Sequence, residues 1–307
     1  MESKNLLLYT AHFKHQYIHL IEMIKKDNKW LHIDFKKNIN YLDEVKELSE
    51  KYTIKHVLFF PLQYITELYF TPFLSNKINT YISGKKVIFC DDIHRDIDSR
   101  IKVYNKFDYV MGPTVHRIPY FLKGYFTKKT IFFPPFVIKE DMVPNNKMKL
   151  NKLFLSGTIH PDIYPLRHLI HTLSKNNLFK RSIQNLDKNK KVKGENYFKI
   201  INNYNYGFCC SLSEKYQYLV FKFLEIPASS TILVCNNKHI KELFEEMGFY
   251  ENIHYIAKNS ENEIKDFILN LDKIPFNNKM CNDAYNLIYE KHTQYNRFQL
   301  LKEIFEF

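Results

Sequence analysis

Lys222 and Glu225 stand three residues apart inside an otherwise apolar run, VFKFLEIPASSTILV, residues 220–234. On a helix this spacing sets the two charges one turn apart on one face. A carboxylate so placed can accept two hydrogen bonds from a ribose diol, and an ammonium can meet a phosphate. The same spacing also makes a plain surface ion pair, worth roughly a few tenths of a kcal/mol. The Val, Phe, Leu and Ile around the pair point to a largely buried helix. Pro227 is expected to end or kink that helix near Glu225.

A second candidate lies in LFLSGTIHPDIYPLRHLI, residues 153–170. It reads strand, Gly157, loop, helix. Pro165 suits a first helical position. A helix start carries free N–H groups and partial positive charge, which suits an anion. Arg167 falls in that first turn and can clamp a phosphate through two N–H bonds. Gly157 lets the backbone come close. An ordinary strand–turn–helix with a surface arginine has the same pattern, and the stretch is neither GxGxxG nor a P-loop.

Candidates for a general base follow first-half strands. KVIFCDDIHRDIDSR (86–100) places Asp91, Asp92 and His94 just past a strand, and YTAHFKH (9–15) places His12 similarly. A histidine near its ordinary pKa, oriented by an aspartate, suits proton removal from a hydroxyl. Helix capping by Asp91 or Asp92 explains the same residues equally well. The tripeptide at 96–98, Asp-Ile-Asp, matches a short metal-binding signature, but Ile97, Ile101 and Tyr104 read as one helix face. His160, His168 and His171 have no carboxylate or cysteine at ligand spacing, so no metal site is expected.

These residues need elements to hold them. The first half alternates short apolar strands (5–10, 30–35, 56–61, 86–90, 109–112 and 130–134) with helical patterns such as YLDEVKELSEKY, where Leu42, Val45 and Leu48 share a face. Strands rich in Val, Ile, Leu and Phe between helices imply a parallel sheet covered on both sides. The polar stretch 138–152 reads as a linker. A second alternation follows, with strands in LFLSG, YGFCCS, STILVC and NIHYIA. Its helices include one with Leu166, Leu169, Ile170 and Leu173 inward and one opened by a Ser260/Glu263 capping box. The expectation is two α/β units facing across a cleft, with ligands at the carboxyl ends of the strands.

Bulk composition sets limits. The 307 residues suit two domains, and 45% hydrophobic with 16% aromatic content supports a sizeable core. Cys90, Cys209, Cys210, Cys235 and Cys281 show no CxxC spacing and read as reduced, buried thiols of a cytoplasmic protein. No apolar run reaches the roughly 18 residues of a membrane span, and no secretory signal is evident. The net charge of +12 fits nucleic acid, an anionic membrane surface or a phosphate-bearing substrate, and equally a general Lys/Asn bias.

In order and spacing, the second half resembles the C-terminal part of GT-B glycosyltransferases, of the CgeB-like, glycosyl transferase family 1 type. KFLEIPASSTILV matches that family's basic-x-x-Glu-Ile-Pro-Ala segment and the strand after it. KELFEEMGFYENIHYIAKNSENEI (241–264), KHTQYNRFQLLKEI (291–304), FLSGTIHPDIYPLRHLI and KGENYFKIINNYNYGFCCS are similar to its other segments. The match spans about 150–307.

The resemblance implies two Rossmann-like domains: residues 1–145 for the acceptor and 150–290 for the donor. It also implies a helix, 291–307, packing back on the first. It implies transfer of a sugar from a UDP- or GDP-sugar to a hydroxyl of a glycan, protein or lipid-linked acceptor. Glu225 would bind the ribose, and Lys222 and Arg167 would face the diphosphate beside Gly157. No cofactor or metal is expected, because basic side chains offset the leaving diphosphate. Asp92, His94 and His12 are the candidate catalytic residues, and peripheral contact with an anionic membrane is an option.

Ser229 and Ser230 replace the family's Cys and Gly, and a serine in the glycine place is expected to narrow the approach to the phosphates. Glu214 lies eleven residues before Glu225, so the wider superfamily's glutamate pair is not intact. Two alternatives stand beside this reading: a basic nucleic-acid-binding module, against which no RNP-type motif is found, and a GT-B-like scaffold without catalysis.

Overall fold

The computed structural model describes the chain except residues 11–14, 36–40, 61–72, 74, 91–96, 114, 116–128, 146–147, 187–191, 211–218, 239 and 307. The chain divides into two units, Met1–Pro134 with Arg297–Phe307, and Pro135–Asn296. The polar stretch 138–152 therefore belongs to the second unit.

Unit 1 is a six-stranded parallel sheet. Its strands are β1 (Ser3–Tyr9), β2 (Trp30–Asp34), β3 (Thr53–Phe60), β4 (Lys86–Phe89), β5 (Tyr109–Gly112) and β6 (Lys129–Phe132), in the order β2-β1-β3-β4-β5-β6. Helices α1 (His15–Lys26), α2 (Tyr41–Lys51) and α3 (Ile97–Tyr104) lie between them in sequence. Leu7 pairs with His32 on one side and Leu58 on the other. Leu6, Leu8, Val57, Phe59, Ile88 and Val110 build one core, and the alternating Leu7, Leu58, Phe60, Val87 and Phe89 are buried as well. Apolar residues on both faces are what a two-sided parallel sheet requires. Gly112 is fixed by close approach, since a Cβ there would lie 2.0 Å from the Cys90 carbonyl oxygen.

Unit 2 repeats the plan with five strands: β7 (Leu150–Leu155), β8 (Ile183–Asn185), β9 (Tyr204–Cys210), β10 (Ile232–Asn236) and β11 (Tyr255–Ala257). They are parallel, in the order β11-β10-β9-β7-β8. Numbered within each unit, both sheets run 2-1-3-4-5, and unit 1 adds a sixth strand. The helices are α4 (Pro165–Leu173), α5 (Glu195–Ile201), α6 (Lys222–Ala228), α7 (Lys241–Glu246), α8 (Glu261–Leu269) and α9 (Asn278–Lys291). The Ser260/Glu263 capping box that opens α8 is present on both of its arms. All five cysteines are buried and free.

The last helix, α10 (Gln294–Phe305), begins in unit 2, and its residues from Arg297 belong to unit 1. Within unit 1, Phe305 sits edge-on against Trp30 at 4.9 Å, Lys302 pairs with Asp27 at 3.4 Å, and Arg297 Nε donates to the Pro134 carbonyl at 3.0 Å. Within unit 2, His292 meets the Met247 carbonyl at 2.8 Å and Thr293 bridges to Val137. The KHTQYNR segment thus has a structural use in fixing where the chain leaves unit 2. No helix among the described residues is long and apolar enough to cross a membrane.

Candidate functional site

β7 ends at Leu155, and Ser156 and Gly157 lead out of it toward α4. Gly157 has φ +98°, a left-handed value that a side chain strains to adopt. Space there is also short. A Cβ on Gly157 would sit 2.8 Å from Lys222 Cε and 3.1 Å from Arg167 Nη1. The turn after β7 therefore lies directly under two cations brought by different helices.

Arg167 stands at the third position of α4, behind Pro165. It is 2% exposed, so the surface-arginine alternative does not hold. Its Nη1 donates to the Thr158 carbonyl at 3.0 Å, and its guanidinium lies 4.0 Å from the centre of the Tyr164 ring. Its Nε is buried without a hydrogen-bond partner among the described residues. A buried guanidinium with an unused donor suits a site that receives an anion.

Lys222 opens α6, and its Nζ donates to the Tyr197 hydroxyl at 2.9 Å. That hydroxyl is 2.7 Å from Ser156 Oγ, and Lys222 Nζ is 3.9 Å from Glu225 Oε2. Burial opposes charge on Lys222, but Tyr197 and Glu225 outweigh it and hold the ammonium above its ordinary range. Burial pushes the Tyr197 phenol up, against the pull of Lys222. Tyr197 is thus a neutral phenol at pH 7. The pair is not a solvated surface pair, because Glu225 is 8% exposed. Burial also raises the Cys209 and Cys210 thiols, with Arg167 acting in the opposite direction.

α6 packs tightly on the sheet, since a Cβ on Gly207 of β9 would meet Ile226 at 2.8 Å. Pro227 does not end this helix at Glu225. The helix continues through the proline to Ala228, and bonds from Ser229 N to the Ile226 carbonyl and Ser230 N to the Pro227 carbonyl close it. The proline stands one residue before the end of the helix and removes a single bond, the one its N–H would give to the Phe223 carbonyl. Ser229 Oγ donates to the Glu225 carbonyl at 2.8 Å, so the residue in the family's cysteine place serves as a C-terminal cap.

Ser230 does not crowd Gly157. It has φ +50°, and its Oγ donates to the Val143 carbonyl at 2.8 Å, while its own carbonyl accepts from Lys149 Nζ at 2.5 Å and Cys281 Sγ at 2.8 Å. A glycine at this position relieves a left-handed turn, and the serine takes the strained conformation instead.

Gly157, Arg167, Lys222 and Glu225, separate in the sequence, are therefore gathered at one end of one sheet. Tyr197 and Ser156 complete the cluster and were not singled out from the sequence. The available signal was Tyr197 within GENYFKII, which reads as a core aromatic at a helix start. Asp92, His94 and His12 lie outside the described residues, as do Asp91, Asp96 and Glu214. Among the described residues no group of three or more His, Cys, Asp or Glu is placed to hold a metal ion.

No family model matches this sequence, and no curated protein does. Solved structures do. An alpha-glucosyltransferase in complex with UDP-glucose and DNA containing an abasic site aligns at 12% identity over 99% of this chain and 100% of its own, with TM-score 0.64. A glycosyltransferase from Rickettsia africae ESF-5 aligns at 13% identity over 100% of this chain and 98% of its own, also with TM-score 0.64. An alpha,alpha-trehalose 6-phosphate synthase from Burkholderia multivorans aligns at 9% identity over 100% and 97%, with TM-score 0.60. The likeness runs over the whole chain, including the half whose sequence offered only alternation, and the fold is GT-B.

Proposed function

We propose that the protein is a glycosyltransferase that moves a sugar from a nucleotide-diphosphate donor to a hydroxyl acceptor. The observation that carries this is the meeting of Lys222 and Arg167 over the Gly157 turn at the carboxyl end of β7, with Glu225 one helical turn from Lys222. A pyrophosphate against that turn would face two fixed cations in a poorly hydrated place, where their charge counts for more than in water. Glu225 would accept hydrogen bonds from the ribose hydroxyls. Tyr197 would hold the ammonium of Lys222 in position. UDP as the nucleotide is supported by the α-glucosyltransferase of the same fold, whose complex contains UDP-glucose.

In the reaction the glycosidic oxygen leaves with the diphosphate as the acceptor oxygen attacks the anomeric carbon. A base takes the acceptor proton; His94, Asp92 and His12 remain its candidates. Lys222 and Arg167 would offset the charge on the departing diphosphate, and the reaction is proposed to run without a metal. The protein is proposed to act in the cytoplasm, in glycan biosynthesis. Peripheral contact with an anionic membrane remains an option for reaching a lipid-linked acceptor.

Calorimetry with UDP and GDP, followed by donor hydrolysis assays with UDP- and GDP-sugars in the presence of EDTA, tests this. Saturable binding of one nucleotide, weakened about tenfold or more on Lys222→Met, is expected. No binding of either nucleotide would end the proposal. Binding without donor turnover would select the scaffold alternative, and turnover abolished by EDTA would remove the metal-free part. Acceptors offered should include glycan, lipid-linked and DNA hydroxyls, since one enzyme of this fold is seen with DNA.

A further inference from the structure

Unit 2 holds a cavity of about 600 Å³ apart from the Gly157 cluster. Tyr206, Asn252, Lys258, Phe267 and Phe276 are among its walls. Tyr206 is the third residue of β9 and pairs with Leu153 of β7, four residues before Gly157. At the rise of a strand this sets the two levels about 13 Å apart. Side chains alternate along a strand, and the neighbouring Gly207 faces Ile226 of α6, so Tyr206 points to the opposite face of the sheet.

The walls have a definite chemistry. Phe267 stands edge-on to Tyr206 at 5.4 Å, and Phe276 does so at 6.5 Å. Lys258 Nζ lies 5.9 Å from the centre of the Phe267 ring. The Tyr206 hydroxyl is buried and has no hydrogen-bond partner among the described residues. Burial raises its pKa, so it is a donor at neutral pH. Buried tyrosine hydroxyls nearly always find an acceptor, and an unused one lining a cavity marks a place for an incoming oxygen. The size falls within the range of small-molecule pockets.

We propose that this cavity binds a flat aromatic anion of the aromatic carboxylate class, its ring against Phe267 and Phe276, its oxygens on the Tyr206 hydroxyl and Lys258. The site is separate from the one proposed for the nucleotide, so the two can be filled together.

The probe is sodium 2-naphthoate, titrated into the full chain and followed by ligand-observed NMR with and without saturating UDP. Saturable binding that UDP does not displace is expected. Tyr206→Phe keeps the ring in the core and is expected to weaken binding by about fivefold, the loss of one hydrogen bond. Lys258→Met is expected to weaken it similarly, and 2-naphthamide is expected to bind more weakly than the acid. The proposal is overturned if naphthoate shows no saturable binding up to about 10 mM, the weak limit for a fragment of this size. It is overturned equally by displacement with UDP, by both variants binding as the parent does, or by the amide matching the acid.

Discussion

The two sheets share one strand order yet finish their strands in opposite ways. In unit 1 the ends of β3 and β4 are closed by aromatic rings: Phe60 stacks on Phe89 at 4.2 Å, and Tyr17 and Phe133 stand edge-on around them. In unit 2 the end of β7 leads to a bare glycine turn under Arg167 and Lys222. β7 is the first strand of its unit, the equivalent of β1, so the two ends are different places in one topology, and side chains give each its chemistry. The rings give the first an apolar surface, whereas Arg167 and Lys222 give the second a positive one.

The sharpest way to break that comparison is to add one methyl group to each sheet. Gly112→Ala in unit 1 would press a Cβ against the Cys90 carbonyl, and a loss of about 3 kcal/mol in unfolding free energy is expected by denaturant titration. Gly157→Ala in unit 2 would press on Lys222 Cε and Arg167 Nη1, side-chain atoms and not backbone, so nucleotide affinity is expected to suffer more than stability. Equal losses of stability, with nucleotide binding intact in Gly157→Ala, would erase the distinction between the two ends.

Removing the charge comes next. Lys222→Met is expected to cost roughly 1.5–3 kcal/mol of donor binding, about 10- to 150-fold in Kd by calorimetry. An effect below twofold would contradict a phosphate contact. Tyr197→Phe leaves the ring but frees the ammonium, and an approximately fivefold fall in kcat/KM is expected, with an altered pH profile. A purely structural tyrosine would change stability and leave that profile unmoved.

What the sequence made legible follows from these contacts. Gly157, Arg167, Lys222 and Glu225 each break a local pattern: a glycine closing a strand, a cation behind an N1 proline, and charges in a greasy run. Such breaks are visible because a local rule is broken for a reason. Tyr197 breaks nothing; a tyrosine on a buried helix face looks like any core aromatic. The strand Ile183–Asn185 has three residues, too few for alternation to register. Pro227 misled because a proline costs a helix one bond to the carbonyl four residues back without forbidding one more residue, and α6 has only Ala228 beyond it.

A smaller effect probes the far side of α6. Burial lowers Lys149 to about 8, with Cys281 acting in the opposite direction. Its ordinary value is 10.5, so between the two the unfolded chain binds more protons and stability rises with pH. Cys281 is raised to about 11 from 9.0, so above pH 9 its unfolded thiol loses the proton first, which offsets the Lys149 rise up to pH 10.5 and lowers stability beyond it. Between pH 8 and 9 the melting temperature is expected to climb by about 2 °C, and Lys149→Met is expected to flatten the climb. A flat parent profile would show that Lys149 is as solvated folded as unfolded.

The smallest change expected is Ser230→Gly, within about 1 kcal/mol of the parent. Relief of the left-handed backbone is set against loss of the bond to Val143 and added freedom in the unfolded chain. Nucleotide affinity should not move. A large gain in affinity would restore the idea that this serine crowds the phosphates.

Unit 1 is not one continuous piece of chain. Its sheet is contributed by the first 134 residues, but Arg297–Phe307 also belong to it and bring Phe305 to Trp30 and Lys302 to Asp27. During synthesis those residues leave the ribosome after all of Pro135–Asn296. The N-terminal sheet must then wait, its Trp30 flank uncovered, until all of Pro135–Asn296 has emerged. A growing chain of this kind matures in the reverse of its reading order, and a stop codon just before Arg297 would harm the beginning of the protein more than its end.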